Sequence, residues 1–269
     1  MRISGTAIAA LSVVALSGLV VPGATAQTRE SFHGYTAFPE SAEAMQAIID
    51  ERDLHGATQA YLWGMSIATM LAWEEANLKV GDYLDLVTYI TPDQKRDIIT
   101  ANATTPYAVA YVDLSKTNGM IIVDVPAGPV GGLINDGQMR NIVDFGLAGP
   151  DQGKGGKYLI LGPGAQKPAG HGADFVYHSK SNLLFTGFRV LGGDDAVRDS
   201  LFGAYKLHEP GKPSPTRVIS IGTTPYRGSN LRGMDYWKEL HAFMQREVFG
   251  PEDAMALQFL KRSATMPTI

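Results

Sequence analysis

The sequence contains no cysteine. Disulfide bridges, thiolate nucleophiles and cysteine-ligated zinc or iron–sulfur sites are therefore excluded. It has no cluster of five or more basic residues, and its formal net charge is -4, so the electrostatic footprint of a nucleic-acid binder is missing. None of the 6 histidines stands in an H-E-x-x-H pattern; His171, Asp174 and His178 come nearest to a ligand set, and neither a metal nor a cofactor is expected. The glycine-rich run from Gly149 to Lys157 lacks the phosphate-loop spacing of glycine, four residues and Gly-Lys-Ser/Thr. Gly64-Met65-Ser66-Ile67-Ala68 lacks the second glycine and the preceding strand of a nucleophile elbow. No repeat of fixed period and no low-complexity tract is visible.

What is there begins with a targeting segment. Arg2 supplies a positive start, Ala7 to Val21 an apolar run of small residues, and Ala24-Thr25-Ala26 an A-x-A cleavage site. The apolar run is short, holds Ser12, Ser17 and Gly18, and breaks at Pro22, which argues against a spanning helix. A signal peptide over residues 1–26, cleavage near Ala26 and a periplasmic or secreted protein are the expectation. The remaining chain is globular in composition, with 45% hydrophobic and 19% charged residues over the full length.

Residues 27–80 read as an N-terminal helical segment. Ser41 stands as an N-cap, and Ala44, Ile48, Leu54, Ala57, Tyr61, Met65, Ala68 and Leu71 recur mostly at spacings of three and four. Gly56 marks a break between two helices, and the piece from Gly56 to Trp73 is apolar on nearly all sides, as a buried helix would be. Residues 81–225 read as a β-rich domain. Strands are expected over Leu84–Ile90, Tyr107–Leu114, Met120–Val125, Tyr158–Leu161, Asp174–Tyr177, Leu183–Leu191 and Arg217–Ile221, with Tyr205–His208 as an edge. Asn118-Gly119 signals a two-residue hairpin turn joining the second and third of these. A short helix is expected over Ala196–Ala204. Residues 226–269 read as a C-terminal helical tail, with an amphipathic helix over Met234–Val248. Helices, then many short strands, then helices describe an α+β, mainly β fold: an N-terminal helical segment packed on an antiparallel, sandwich-like domain, with C-terminal helices.

Two sets of motifs carry a family resemblance. Asn102-Ala103-Thr104-Thr105-Pro106-Tyr107 is followed by Val112-Asp113-Leu114-Ser115. Asp144-Phe145-Gly146 is followed by Gly149-Pro150-Asp151-Gln152-Gly153-Lys154-Gly155-Gly156-Lys157-Tyr158-Leu159. These runs resemble the bacterial domain of unknown function 1254 family, from about Leu62 to Arg189 and more loosely to Trp237. The resemblance implies an exported protein with a helical N-terminal part and β-sandwich domains, and no agreed reaction. Members of this type usually carry a second module, domain of unknown function 1214, after the helix that matches Trp237 to Val248, and this chain ends about where that module would begin. The family pattern also has an Asp-Asp pair and a Trp where this chain has Asn135-Asp136 and Gln138, and a Pro and a Tyr where it has Gly162 and Ala165.

The densest run of glycine and charge, Asp136 to Gly164, is where a site is expected, because long glycine-rich loops in compact domains are often functional. Asp136, Arg140 and Asp144 would share one face if the stretch from Asp136 to Asp144 were helical. The first reading is binding of a small polar or anionic, carbohydrate-like ligand beside this loop, with Asp136, Arg140 and Lys157 at its charged groups and Asn102, Thr104 and Tyr107 supplying hydrogen bonds. The second is a hydrolase or lyase with Asp144 or Asp151 as base and Lys154 or Tyr158 as acid. The third is a structural or assembly module. Each site residue has a plainer role open to it: Arg140 in a surface ion-pair ladder, Asp151 as the anchor of a structural loop, Asn102 and Thr104 as turn caps. Trp63, Trp73 and Tyr61 read as core. Expected partners are a small molecule or saccharide and a second copy or a separate C-terminal module, with no nucleic acid and no stable membrane anchor.

Overall fold

The computed structural model describes residues 39, 41–98, 101–227 and 229–263; the signal peptide expected over residues 1–26 lies outside them. The chain divides into two units, Met1–Ala47 and Ile48–Ile269. In the first, Ser41 caps a helix as expected, its Oγ accepting the Ala44 amide at 3.1 Å. That helix, α1 (Ala42–Leu78), is continuous over 37 residues. Gly56 does not break it; a helical glycine loses only propensity. Nor is the stretch after Gly56 buried on every side, since Leu62 and Met65 are exposed.

The second unit holds ten strands: β1 (Leu86–Tyr89), β2 (Tyr107–Asp113), β3 (Met120–Val125), β4 (Val130–Asp136), β5 (Asn141–Gly146), β6 (Gly156–Leu161), β7 (Phe175–His178), β8 (Leu183–Val190), β9 (Lys206–His208) and β10 (Val218–Ser220). Helix α2 (Asp195–Ala204) precedes β9, and α3 (Met234–Arg246) and α4 (Ala254–Ser263) close the described chain. Six strands form one sheet in the order β10-β1-β2-β8-β4-β5, and four form another in the order β7-β6-β3-β9. Pairing is antiparallel except for β1 with β10 and β6 with β7. The fold is α+β and mainly β, with two sheets packed as a sandwich.

The strand sequences follow from which faces are buried. β2 and β8 are central in the larger sheet and read YAVAYVD and LLFTGFRV, nearly apolar throughout, because both faces are covered. One face, with Ala108, Ala110, Val112, Leu184 and Phe188, meets Ile121, Val123, Tyr158 and Ile160 of the smaller sheet. The other face, with Val109, Tyr111, Leu183 and Phe185, packs on Ile67, Met70 and Leu71 of α1 and Tyr236, Leu240 and Phe243 of α3.

Two local expectations fail for the same reason. Asn118 and Gly119 do take positive φ, at 54° and 76°, yet β2 and β3 are not a hairpin: β2 pairs with β1 and β8, and β3 with β6 and β9. The turn carries the chain from one sheet to the other. The stretch from Asp136 to Asp144 is not helical but the tight end of the β4–β5 hairpin, with Met139 at φ 64° and the Asp136 amide bonded to the Arg140 carbonyl at 2.9 Å. In both cases distant pairing overrides a local signal.

Two contacts hold the frame. Gly64 lets α1 approach α3: a Cβ there would stand 2.6 Å from the Tyr236 hydroxyl and 2.7 Å from Leu240 Cδ2. The Tyr236 hydroxyl donates to the Tyr61 carbonyl at 2.6 Å. At the sheet edge Asp85, 4% exposed, accepts from the Asp82 amide at 2.8 Å and from the Arg217 amide and Nε at 3.2 and 3.0 Å. This pins β10 beside β1. Burial alone would raise the Asp85 pKa, but the Arg217 and backbone bonds outweigh it and hold the carboxyl below its ordinary value.

Gly64→Ala should lower stability by about 1–3 kcal/mol through overpacking. Gly203→Ala, in α2 with nothing within 4 Å of the new Cβ, should raise it by up to about 1 kcal/mol. Equal shifts of the two urea midpoints would refute this account of the helix contact. A depressed carboxyl pKa contributes stability that is present above the unfolded pKa, about 3.9, and lost as pH falls through the folded pKa. Asp85→Asn should therefore melt lower than wild type at pH 7 and show a flatter decline of melting temperature below about pH 4. Parallel melting curves across that range would contradict it.

Candidate functional site

The glycine-rich loop is built around one carboxylate. Asp151, 4% exposed, accepts the Gly146 amide at 2.7 Å and the Tyr158 hydroxyl at 2.6 Å through Oδ1, and the Gly155 amide at 3.2 Å through Oδ2. The glycines follow from this closure. Gly146 has φ 75°, and a Cβ on it would lie 2.2 Å from the Val130 carbonyl oxygen. Tyr158 is fully buried, and burial, then its bond to Asp151, pushes its phenol well above the ordinary range. Asp151 and Tyr158 are thus placed as a loop anchor, the plainer of the two roles their residue types allow. Lys154 is exposed on the loop, and the Lys157 ammonium lies 3.6 Å from Asp124 on the smaller sheet.

The residues at the hairpin end are also committed. Asp136 Oδ1 accepts the Gln138 and Arg140 amides at 2.9 Å each, and Oδ2 accepts Arg140 Nε at 2.8 Å. Arg140 Nη1 reaches Asp253 at 3.3 Å and Glu252 at 3.4 Å. Trp63 Nε1 and Gln138 Nε2 each donate to Asp253 at 3.2 Å. This network ties the β4–β5 turn to α1 and to the segment before α4. Asp144 stands apart from it, toward the other end of β5, so the expected Asp136/Arg140/Asp144 trio is not assembled.

Asn102 acts as a turn cap. Its Oδ1 accepts the Thr104 amide and hydroxyl at 2.9 Å each and the Thr105 amide at 3.0 Å. Its own amide donates to the Tyr107 hydroxyl at 2.6 Å. Lys95, 2% exposed, secures the same loop by donating to the carbonyls of Asn102, Ala103 and Thr105 at 3.2, 3.3 and 2.7 Å. Burial, and then nearby Arg189, holds the Lys95 pKa below its ordinary value.

A cleft of about 540 Å³ lies on the helix-facing side of the larger sheet. Its lining includes Trp73, Tyr107, Leu133, Asp144, Phe185 and Arg189. The strand register explains the space: Gly131 pairs with Arg189, Val109 and Leu133 both pair with Gly187, and Leu133 pairs with Asp144. Side chains of paired residues share a face, and two of these positions, Gly131 and Gly187, carry none. Trp73, expected to be core, forms part of the lining while its Nε1 donates to the Tyr89 hydroxyl at 2.9 Å.

One cation, Arg189, lines this cleft without an ion-pair partner among the described residues. The Arg189 guanidinium lies 4.7 Å from the centre of the Tyr107 ring, and the Lys95 ammonium 5.1 Å from it. No carboxylate among the described residues is within ion-pair distance of Arg189, and the Asp144 carboxylate has as its hydrogen-bond donor the amide group of Asn141, at 3.2 Å. Of the residues the sequence singled out, the cleft thus takes in Tyr107 and Asp144; Asp136, Arg140, Asp151, Lys154, Lys157 and Tyr158 do not line it. The sequence reading missed Arg189, Gly131 and Gly187. A signal for the first existed, a lone charge in the otherwise apolar run Leu183 to Leu191.

No curated protein matches this chain in sequence. Among solved structures, the VPA0106 protein from Vibrio parahaemolyticus matches with a TM-score of 0.52 at 17% identity, over 79% of this chain and 51% of that one. An uncharacterized protein from Burkholderia cenocepacia gives a TM-score of 0.31 at 12% identity, over 86% of this chain and 53% of that one. The chain therefore spans about half the length of each of these two structures. Residues 84–209 match the family described as "Protein of unknown function (DUF1254)". That segment contains β1 to β9 and every residue lining the cleft except Trp73. Residues 84–209, just under half of the chain, are thus similar to the DUF1254 family, whose function is unknown.

Proposed function

We propose that this chain is an exported protein that binds a small anionic or polar ligand in the cleft over β2, β8, β4 and β5. The observation that carries the reading is the Arg189 guanidinium, held against the Tyr107 ring at the edge of an aromatic-lined cleft with no carboxylate among the described residues to neutralise it. Ligand sites are concave and mostly apolar, with a few polar groups that fix orientation, and guanidinium is suited to carboxylate and phosphate oxygens. The rings of Trp73, Tyr107 and Phe185 offer flat apolar surface, which suits a carbohydrate-like ring. In this reading the anion contact belongs to Arg189 rather than to Arg140 or Lys157, which already serve internal ion pairs. Export rests on Arg2, the apolar run that follows it and Ala24-Thr25-Ala26.

The reading of a hydrolase or lyase keeps one of its assigned groups in the cleft, Asp144 as base. Its other assigned groups, Asp151, Lys154 and Tyr158, are not part of the lining. Binding is the function the geometry supports better.

A thermal-shift screen of residues 27–269 against uronic acids, organic acids and neutral sugars should find stabilisation by an acidic class, since a ligand at 100 times its Kd adds about 2.7 kcal/mol to the folded state. Arg189→Gln should weaken that ligand at least about tenfold, the loss of one charge-assisted contact. Gly131→Val should weaken it as much by filling the floor, while the fold persists, because valine suits a strand and the displaced neighbour is the end of the exposed Leu191 side chain. Undiminished binding by both folded variants would place the ligand elsewhere.

A further inference from the structure

If the cleft is the ligand site, its second charge says what the ligand must carry besides an anion. Asp144 and Arg189 lie on the same face of the larger sheet, on β5 and β8, with β4 between them. Gly131 pairs with Arg189 and Leu133 pairs with Asp144, so the two are two strand spacings apart and offset by two residues. With about 4.8 Å between strands and about 3.4 Å per residue, their Cα atoms stand about 12 Å apart. They form no ion pair with each other, and neither forms one with another described residue. Between and beside them run Leu133, Val109, Gly131 and Gly187, an apolar floor with two side chains missing. Trp73 and Phe185 stand beside it, with ring centres 5.2 Å apart.

Asp144 and Arg189 are both exposed in the free protein; a simple anion seated on Arg189 over the cleft floor would shut Asp144 off from water with a like charge nearby. A simple cation would do the reverse. Burying a charge without a partner is unfavourable, so the surface is complementary to a molecule with one charge of each sign at opposite ends. We propose that the cleft takes a zwitterion: a carboxylate or similar anionic group on Arg189, a protonated amine on Asp144, and a flat apolar body over Gly131, Leu133 and Gly187. Amino-acid-like and amino-sugar-acid compounds have this layout. Asp144 is then a specificity residue, which selects among anions rather than creating affinity for them.

Three matched probes test this by titration calorimetry on residues 27–269: 4-(aminomethyl)benzoate, which carries both charges across an aromatic ring, 4-methylbenzoate, which carries only the anion, and benzylamine, which carries only the amine. In wild type the first should bind at least about tenfold more tightly than the second, the worth of one charge-assisted hydrogen bond. Asp144→Asn should erase that preference by weakening 4-(aminomethyl)benzoate while leaving 4-methylbenzoate unchanged or tighter. Arg189→Gln should weaken both. Equal binding of the two benzoates in wild type, or a preference that survives Asp144→Asn, overturns the zwitterion inference and leaves the anion site standing. Loss of no probe on Arg189→Gln, or no binding of either benzoate at millimolar concentration, overturns the cleft as the anion site and the inference with it.

Discussion

A sheet packed against a second sheet has another face to cover, and the structure turns on how far two helices cover it. The six-stranded sheet buries one face on the smaller sheet and presents Val109, Tyr111, Leu183 and Phe185 on the other. Helices α1 and α3 lie over that second face, drawn together where Gly64 admits Tyr236 and Leu240. Their cover does not extend to the end where Gly131, Asp144 and Arg189 lie. The cleft is what remains of a hydrophobic face when its cover runs out, and it carries both apolar floor and charged rim.

The glycine-rich loop that dominates the sequence has a supporting role. Its glycines answer to Asp151, which draws Gly146, Gly155 and Tyr158 onto one carboxylate. The loop begins where β5 ends, and Ala148 contributes to the cleft lining. A rigid loop of this kind fixes the end of β5 that carries Asp144. The Lys95 ammonium does the same on the opposite side, gathering three carbonyls of the loop before β2 and so placing Tyr107 under Arg189.

Much of the fold was legible in the sequence, and the failures share a cause. β-branched and aromatic runs marked β2, β3, β6 and β8 because each strand is buried and its composition is local information. The Asn118-Gly119 signal was correct about dihedral angles and wrong about partners, since pairing is decided by residues far along the chain. Asp136, Arg140 and Asp144 fit a helical spacing by coincidence with a tight hairpin. Arg189 was hidden for a further reason: its significance comes from standing opposite Tyr107 on one side and Gly131 on the other, and such a register exists only after the strands assemble.

The parallel pairing of β1 with β10 also bears on the timing of folding. Asp85 and Arg217, which fasten that edge, are 132 residues apart. At roughly 5–20 residues per second of synthesis, on the order of ten seconds pass after Asp85 is made before its partner exists. During that interval the Asp85 carboxylate lacks Arg217 and the open side of β1 lacks β10, and the nascent chain depends on its surroundings to keep that edge from pairing elsewhere.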